Sequence, residues 1–343
     1  MPEVRCQPLF ELSECAISCH ICQIAGPSCV LTCMARRLRY VPPGGALFEI
    51  TCRTVQGRPL LRPSALLIEI TLGILARAAR LFGVAVHAYA FLSNHYHLLV
   101  SVTDVQQLAS FMNYFNSNLA REAGRLARWR EKFWGRRYQA IVVSSEEAAQ
   151  ASRLSYLLAH GVKEGLVASP YDWPGAHCAR ALVEGTAVSG FWRDRTLESK
   201  SRRKSLPAEP ESFLEREQLT LAPLPCWQEL EPAVVRARIQ EMIEEIEIDG
   251  RQREEETGTP PLGCEAICRQ DPHHEPNPIQ KAPAPLVHAV APEVRRALRR
   301  AYFSFLAAYR QASQLFRSGV REVEFPEGAF PPALPVRFAA RSG

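Results

Sequence analysis

Residues 84–102, VAVHAYAFLSNHYHLLVSV, run for nineteen positions with one interruption, the dipeptide Ser93-Asn94. Apolar, β-branched and aromatic residues on either side of a turn dipeptide read as two successive strands. Whatever else this chain forms, it must build a sheet around that pair. Upstream, ALFEITCRTV (46–55) alternates and reads as a strand, and RPSALLIEITLGILARAARLFG (62–83) has helical apolar spacing that stops at Gly83. Downstream, DVQQLASFMNYFNSNLAREAGRLA (104–127) is a predicted helix with Asp104 as its N-cap, and RRYQAIVVS (136–144) is a fourth strand. SEEAAQASRLSYLLAHGVKEGLV (145–167) reads as a further helix, capped by Ser144 or Ser145.

The order is β-α-β-β-α-β-α. Its first six elements fit a ferredoxin-like split βαβ plait, an antiparallel sheet with helices on one face, so an α+β domain is expected over 34–185. Residues 186–231 are charged and punctuated by proline, most clearly at 197–213, and read as a linker. Residues 232–343 form a mainly helical extension, with amphipathic helices at 232–248 and 292–319 and no role legible in the residues themselves.

Charge is uneven along these segments. The 343 residues carry a formal +5, yet 34–205 hold 24 Lys+Arg against 12 Asp+Glu, while 206–343 hold 16 against 21. A basic middle beside an acidic tail points to a polyanionic partner for the middle. Apolar runs are broken by charge before they could span a bilayer, and the first 33 residues lack a basic start followed by an apolar core, so no membrane segment and a cytoplasmic location are expected. Six of the eleven cysteines lie in residues 1–33, including Cys19-x2-Cys22 and Cys29-x3-Cys33. Without a flanking zinc-ribbon pattern, this reads as a Cys-rich leader ahead of the domain, or as upstream of a start at Met34, rather than as a zinc site. Cys264, Cys268, His273 and His274 form a second cluster whose spacing fits no zinc pattern and reads as a proline-rich surface segment.

The chemistry sits at the head of the third strand. His95 and His97 are two apart, so in a strand they point to one face, about 6.5–7 Å apart along it, with Tyr96 on the other. That is a bite for one metal ion or a pair of satisfied strand histidines. In RLSYLLAHGVKEG (153–165), helical spacing would stack Tyr156, His160 and Lys163 at i, i+4 and i+7, a phenol, an imidazole and an ammonium in one column.

Together these stretches resemble a known family. NHYHLLV looks like the histidine–hydrophobic–histidine (HUH) motif of the single-tyrosine transposases, and YLLAHGVKEGLVASPYDWPGAHC resembles their tyrosine-bearing segment. FMNYFNSNLAREAG and FWGRRYQAIVV fall where that family has its connecting helix and next strand. The nearest subgroup by this resemblance is the REP-associated tyrosine transposases, over about residues 34–180. The resemblance implies a plait fold, a divalent metal held by His95 and His97, and a covalent DNA intermediate on Tyr156. His160 stands where the family commonly has an amide that completes the site, Gly161 where it often has proline, and Leu92-Ser93 where a methionine-proline pair is usual. An all-nitrogen donor set suits Zn²⁺ or Mn²⁺ better than Mg²⁺, the other ion to consider.

On this reading the chain is a metal-dependent transposase or nickase that cleaves and rejoins single-stranded or REP-like hairpin DNA, as a monomer or homodimer. Lys163 is a second candidate, beside the metal, for favouring the phenolate. Arg121, Arg125, Arg128, Arg136, Arg137 and Arg153 are candidates for phosphate contacts, and Trp129 and Trp134 for base stacking. A non-catalytic DNA-binding protein on the same fold and a zinc-dependent nuclease are the alternatives.

Overall fold

The computed structural model describes residues 37–204, 209–277 and 284–330, and the expected Cys-rich leader lies outside them. Strand β1 spans Ala46–Arg53, helix α1 Ala65–Phe82, β2 Ala85–Leu92, β3 His95–Val102, α2 Val105–Leu126, β4 Gln139–Val143 and α3 Glu147–Leu158. The sheet order is β2-β3-β1-β4, with every one of these pairings antiparallel. That is the order of a split βαβ plait, as the element sequence leads one to expect.

Local chemistry explains the boundaries. Ser64 caps α1 by accepting from the Leu67 N–H, and Gly83 ends it in the left-handed conformation at φ 63°. Asp104 accepts from the amides of Gln106 and Gln107, both at 2.8 Å, and so fixes the start of α2. The core lies around β3, where Tyr96, Leu98, Leu99 and Val100 are fully buried. Tyr96 points toward α2, its hydroxyl donating to Asn116 Oδ1 at 2.7 Å. His97 points to the opposite face, which α3 covers. The two plait helices α1 and α2 therefore pack together on one face, as expected, and α3, which follows the plait, covers the other.

The expected linker at 186–231 is a correction. After helix α4 (Ala179–Glu184), β5 (Val188–Arg193) pairs antiparallel with β6 (Leu214–Leu219), with α5 (Arg195–Arg203) between them. This ribbon packs on α1 so closely that a Cβ on Gly190 would collide with the Glu69 carbonyl oxygen and the Gly73 nitrogen, and a Cβ on Gly73 with the Phe191 backbone. Arg77 and Arg80 of α1 clasp Glu217 of β6, both at 2.7 Å, and Arg77 also stacks on Trp192, 3.6 Å from its ring centre.

Both edges of the plait are covered. On the β2 side, the segment at 176–178 bonds to Phe91 and Tyr89 (Phe91 N–H to the Ala176 carbonyl, 2.9 Å; Cys178 N–H to the Tyr89 carbonyl, 3.1 Å). On the β4 side, β7 (Val287–His288) adds a parallel fifth strand. Sheet edges left bare invite pairing with other chains. The remaining helices are α6 (Pro232–Thr257), α7 (Cys264–Cys268) and α8 (Pro292–Arg317). The C-terminal extension is thus mainly helical but also contributes a strand to the plait sheet. Among the described residues, no helix is long and apolar enough to cross a membrane.

Candidate active site

The site is built where β3 leaves its turn. His95 and His97 pair across the sheet with Arg53 and Thr51 of β1, so Glu49, Thr51 and Arg53 share their face. Helix α3 lies against that face and delivers Tyr156. The helix does not continue through the expected column: it ends at Leu158, and Gly161 takes a φ of 97°. The turn still returns the chain, with the Lys163 N–H bonded to the Ala159 carbonyl at 2.9 Å. His160 and Lys163 therefore reach Tyr156 from a turn rather than along a helix face.

Sequence positions some sixty residues apart meet here. The ring centres of His97 and His160 are 4.1 Å apart, those of His95 and His97 5.3 Å, and those of His95 and His160 5.8 Å. Tyr156 sits 4.8 Å from His160 and 5.8 Å from His97 by the same measure. The three imidazoles offer ligand atoms within 4.8 Å of one another, and they are the only such group among the described residues. Cys264 and Cys268, by contrast, are exposed free thiols, in keeping with the surface reading of that segment.

Each ring has an oxygen against its Nδ1: Asn94 Oδ1 at 2.6 Å for His95, Glu49 Oε1 at 3.0 Å for His97 and the Leu157 carbonyl at 3.2 Å for His160. An acceptor at Nδ1 favours the tautomer protonated there, which places the lone pair on Nε2. Three Nε2 lone pairs from converging rings are a suitable donor set for a divalent cation. Burial, together with the neighbouring His97, Lys163 and His95, holds His160 far below the ordinary imidazole range, so it is a neutral donor at physiological pH.

Two basic groups flank the phenol. Lys163 Nζ lies 3.2 Å from the centre of the Tyr156 ring and 3.0 Å from His160 Nε2, and the Arg153 guanidinium lies 4.7 Å from the same phenol ring. Burial lowers the Lys163 ammonium to about 8. Burial also raises the Tyr156 phenol, as do the negative charges of Glu49 and Glu164, while Arg153 pulls it down. Unaided, Tyr156 keeps its proton at neutral pH.

A cleft of about 940 Å³ opens over this cluster, and its lining includes Arg53, Arg136, Arg137 and Arg153. Three of the six arginines singled out by sequence therefore reach the site. The other three do not line it. Arg121 folds onto its own helix, bonding to the Ser117 carbonyl at 3.2 Å, Arg125 pairs with Glu122 at 2.5 Å, and Arg128 lies exposed beyond α2. Trp134 is packed edge-on against Tyr96 and donates to the Asn116 carbonyl, so its ring is structural.

Sequence reading missed Glu49, Arg53 and His288. Glu49 is buried and lies between His97 and His288, whose Nε2 is 2.7 Å from Glu49 Oε2. Burial raises its carboxyl, but the adjoining His288 and His97 rings outweigh this and hold it well below the usual carboxylate range. The available signal was a lone acid inside the apolar strand ALFEITCRTV, because buried carboxylates occur only with partners.

A plait sheet with two histidines on β3 and a tyrosine on α3 is the arrangement that the resemblance to the HUH transposases leads one to expect. Residues 64–154, which span α1 through most of α3, match the family model described as "Transposase IS200 like". Over this segment, which is less than half of the chain, the protein is similar to the IS200-like transposases. Among solved structures, a REP-associated tyrosine transposase bound to a REP hairpin is similar at 18% identity, covering 44% of this chain and 86% of that one with a TM-score of 0.37. A proposed transposase of Deinococcus radiodurans is similar at 18% identity, covering 32% and 88% with a TM-score of 0.26. Likenesses this slight add nothing to the assignment. No curated protein matches the chain.

Proposed function

We propose that this chain is a metal-dependent DNA strand transferase that cuts and rejoins single-stranded or REP-like hairpin DNA through a 5′-phosphotyrosine on Tyr156. The observation that carries the reading is the meeting of Tyr156 with His97 and His160 on the face that also bears His95. The donor set fits a divalent cation, Mn²⁺ or Zn²⁺ by its nitrogen content, with Mg²⁺ a poorer match. Such an ion, when bound, polarises a phosphate oxygen and offsets charge in the transition state.

The protein's own groups do the rest. Arg53, Arg136, Arg137 and Arg153 line the cleft and hold the phosphodiester backbone against the strand face. Tyr156 is 38% exposed and reachable from the cleft. Its oxygen attacks phosphorus, the bond to the 3′ oxygen breaks, and the departing oxygen takes a proton to become a free 3′-hydroxyl. Bond energy stays in the phosphotyrosine, so a 3′-hydroxyl can reverse the step without a nucleotide cofactor. Because burial and Glu49 keep the phenol protonated, added positive charge is needed to ionise it; Arg153 supplies part and Lys163 is the second source.

The test is a 5′-extended, 3′-labelled hairpin oligonucleotide incubated with the full chain and Mn²⁺. A DNA–protein band that survives denaturant, vanishes with chelator and is absent from Tyr156→Phe supports the reading. Turnover that frees both DNA ends with no protein attached would instead support a zinc-type nuclease, which the three imidazoles would also suit.

A further inference from the structure

We infer that His288, supplied by the C-terminal extension, is a positioning residue for the cation site and acts on it through Glu49. The inference rests on the reading of His95, His97 and His160 as metal ligands. It concerns a residue far outside the family-matched segment, which ends at residue 154.

The path is short. Strand β7 docks beside β4 with Val287 opposite Val142 and His288 opposite Val143, and the Ser144 N–H bonds to the His288 carbonyl at 2.8 Å. The chain just beyond it is held as firmly, because the Glu146 carboxylate accepts from the amides of Val290 and Ala291 at 3.1 and 2.9 Å. So placed, His288 sets its Nε2 2.7 Å from Glu49 Oε2, an ion-pair contact that is close but not aligned as a hydrogen bond, while the other carboxylate oxygen, Oε1, receives His97 Nδ1 at 3.0 Å. His288 is not itself one of the three converging ligands.

A carboxylate held on one oxygen can still rotate about its side chain. Held on both, it has a fixed plane. Glu49 is 5% exposed, so water cannot readily take the place of a lost partner. With its plane fixed, Glu49 fixes the tautomer and the ring angle of His97, and the His97 Nε2 lone pair is aimed at the same point as those of His95 and His160. Carboxylate partners of ligating histidines change metal affinity by about 10–100-fold when removed. Here the carboxylate itself has an outer partner, and that partner comes from a different part of the chain. Arg153, 3.7 Å from Glu49 Oε2, is too distant to substitute for it.

The experiment is Mn²⁺ titration of the full-length protein, with free ion read by electron paramagnetic resonance and melting temperature recorded for every variant. Wild type is expected to bind one ion, and His97→Ala to lose it. His288→Ala should weaken binding about tenfold, whereas His288→Gln, which keeps an N–H donor of similar reach, should stay within about threefold of wild type. The double variant Glu49→Gln/His288→Ala should bind no more weakly than Glu49→Gln alone, because both changes break one path. The inference is overturned if His288→Ala binds within twofold of wild type. It is also overturned if His288→Gln loses as much as His288→Ala, since the loss would then follow strand packing and not the donor. Should His288→Ala not fold, His288→Leu, which keeps the bulk of the side chain and removes the donor, takes its place under the same criteria. A wild-type protein without Mn²⁺ affinity sinks the ligand reading and this inference together; normal affinity that His288→Ala leaves intact sinks the inference alone.

Discussion

Tyr156 and His160 meet edge to face, their ring centres 4.8 Å apart and their planes at 88°, at the point where α3 gives out. The contact depends on the turn that follows. Gly161 holds a φ of 97°, and a Cβ there would press within 3.1 Å of both Trp173 and Val167. Gly161→Ala combines backbone strain with overpacking and is expected to cost about 2–4 kcal/mol of stability. Urea denaturation would measure it, and an m-value equal to wild type would show that the loss is native-state strain.

Lys163 competes for the same lone pair that a metal would use. Its Nζ lies 3.0 Å from His160 Nε2 and adds a positive charge beside the three rings. Lys163→Met removes both the competing donor and the like charge. Mn²⁺ affinity should rise several-fold, on the order of 1 kcal/mol, in a titration at fixed pH. An unchanged affinity would show that the ammonium moves aside at no cost.

The ribbon formed by β5 and β6 should be needed for stability although it lies away from the cleft. Gly190→Ala forces a methyl into the Glu69 carbonyl on α1. A loss of about 1–3 kcal/mol is expected, with melting temperature as the readout. Metal binding, judged at a temperature where the variant is folded, should be unaffected.

Glu198 gives this region an acid-sensitive link. A hydrogen bond from Arg193, opposed by partial burial and reinforced by Arg195, lowers its carboxyl to about 2. A folded pKa below the unfolded value of about 4.3 means the stabilisation is complete above that value and is lost as pH falls toward 2. After solvent screening the contribution is about 1 kcal/mol. Glu198→Gln should therefore melt below wild type at pH 7, and the gap should close between pH 4 and pH 2.

What could be read from the residues follows from where the physics is local. The pair of strands at 84–102 announces itself because its apolar runs, turn dipeptide and alternation are all contained in nineteen positions. Asp104 and Gly83 work the same way, since capping needs only neighbours. The end of α3 is different. Its apolar spacing continues through Val162 and Leu166, and only the left-handed Gly161 breaks the helix. Strand β6, LEREQL, carries almost no apolar alternation; its pairing with β5 and the clasp of Arg77 and Arg80 on Glu217 hold it, and both are long-range. The histidine pair was legible because strand periodicity puts His95 and His97 on one face. Glu49 and His288 were not, because their meeting requires β1 and a two-residue strand from the far end of the chain to arrive at the same place.

The covalent step itself can be located by mass spectrometry. Full-length protein is reacted with a hairpin oligonucleotide and Mn²⁺, denatured, treated with nuclease and protease, and the peptide carrying the nucleotide remnant is sequenced. The expected result is a 5′-linked phosphodiester on the peptide containing Tyr156, and no adduct from Tyr156→Phe. An adduct on Tyr96, Tyr114 or Tyr138, or adduct formation undiminished in Tyr156→Phe, would show that another residue is the nucleophile and that the meeting of phenol and imidazoles serves some other purpose.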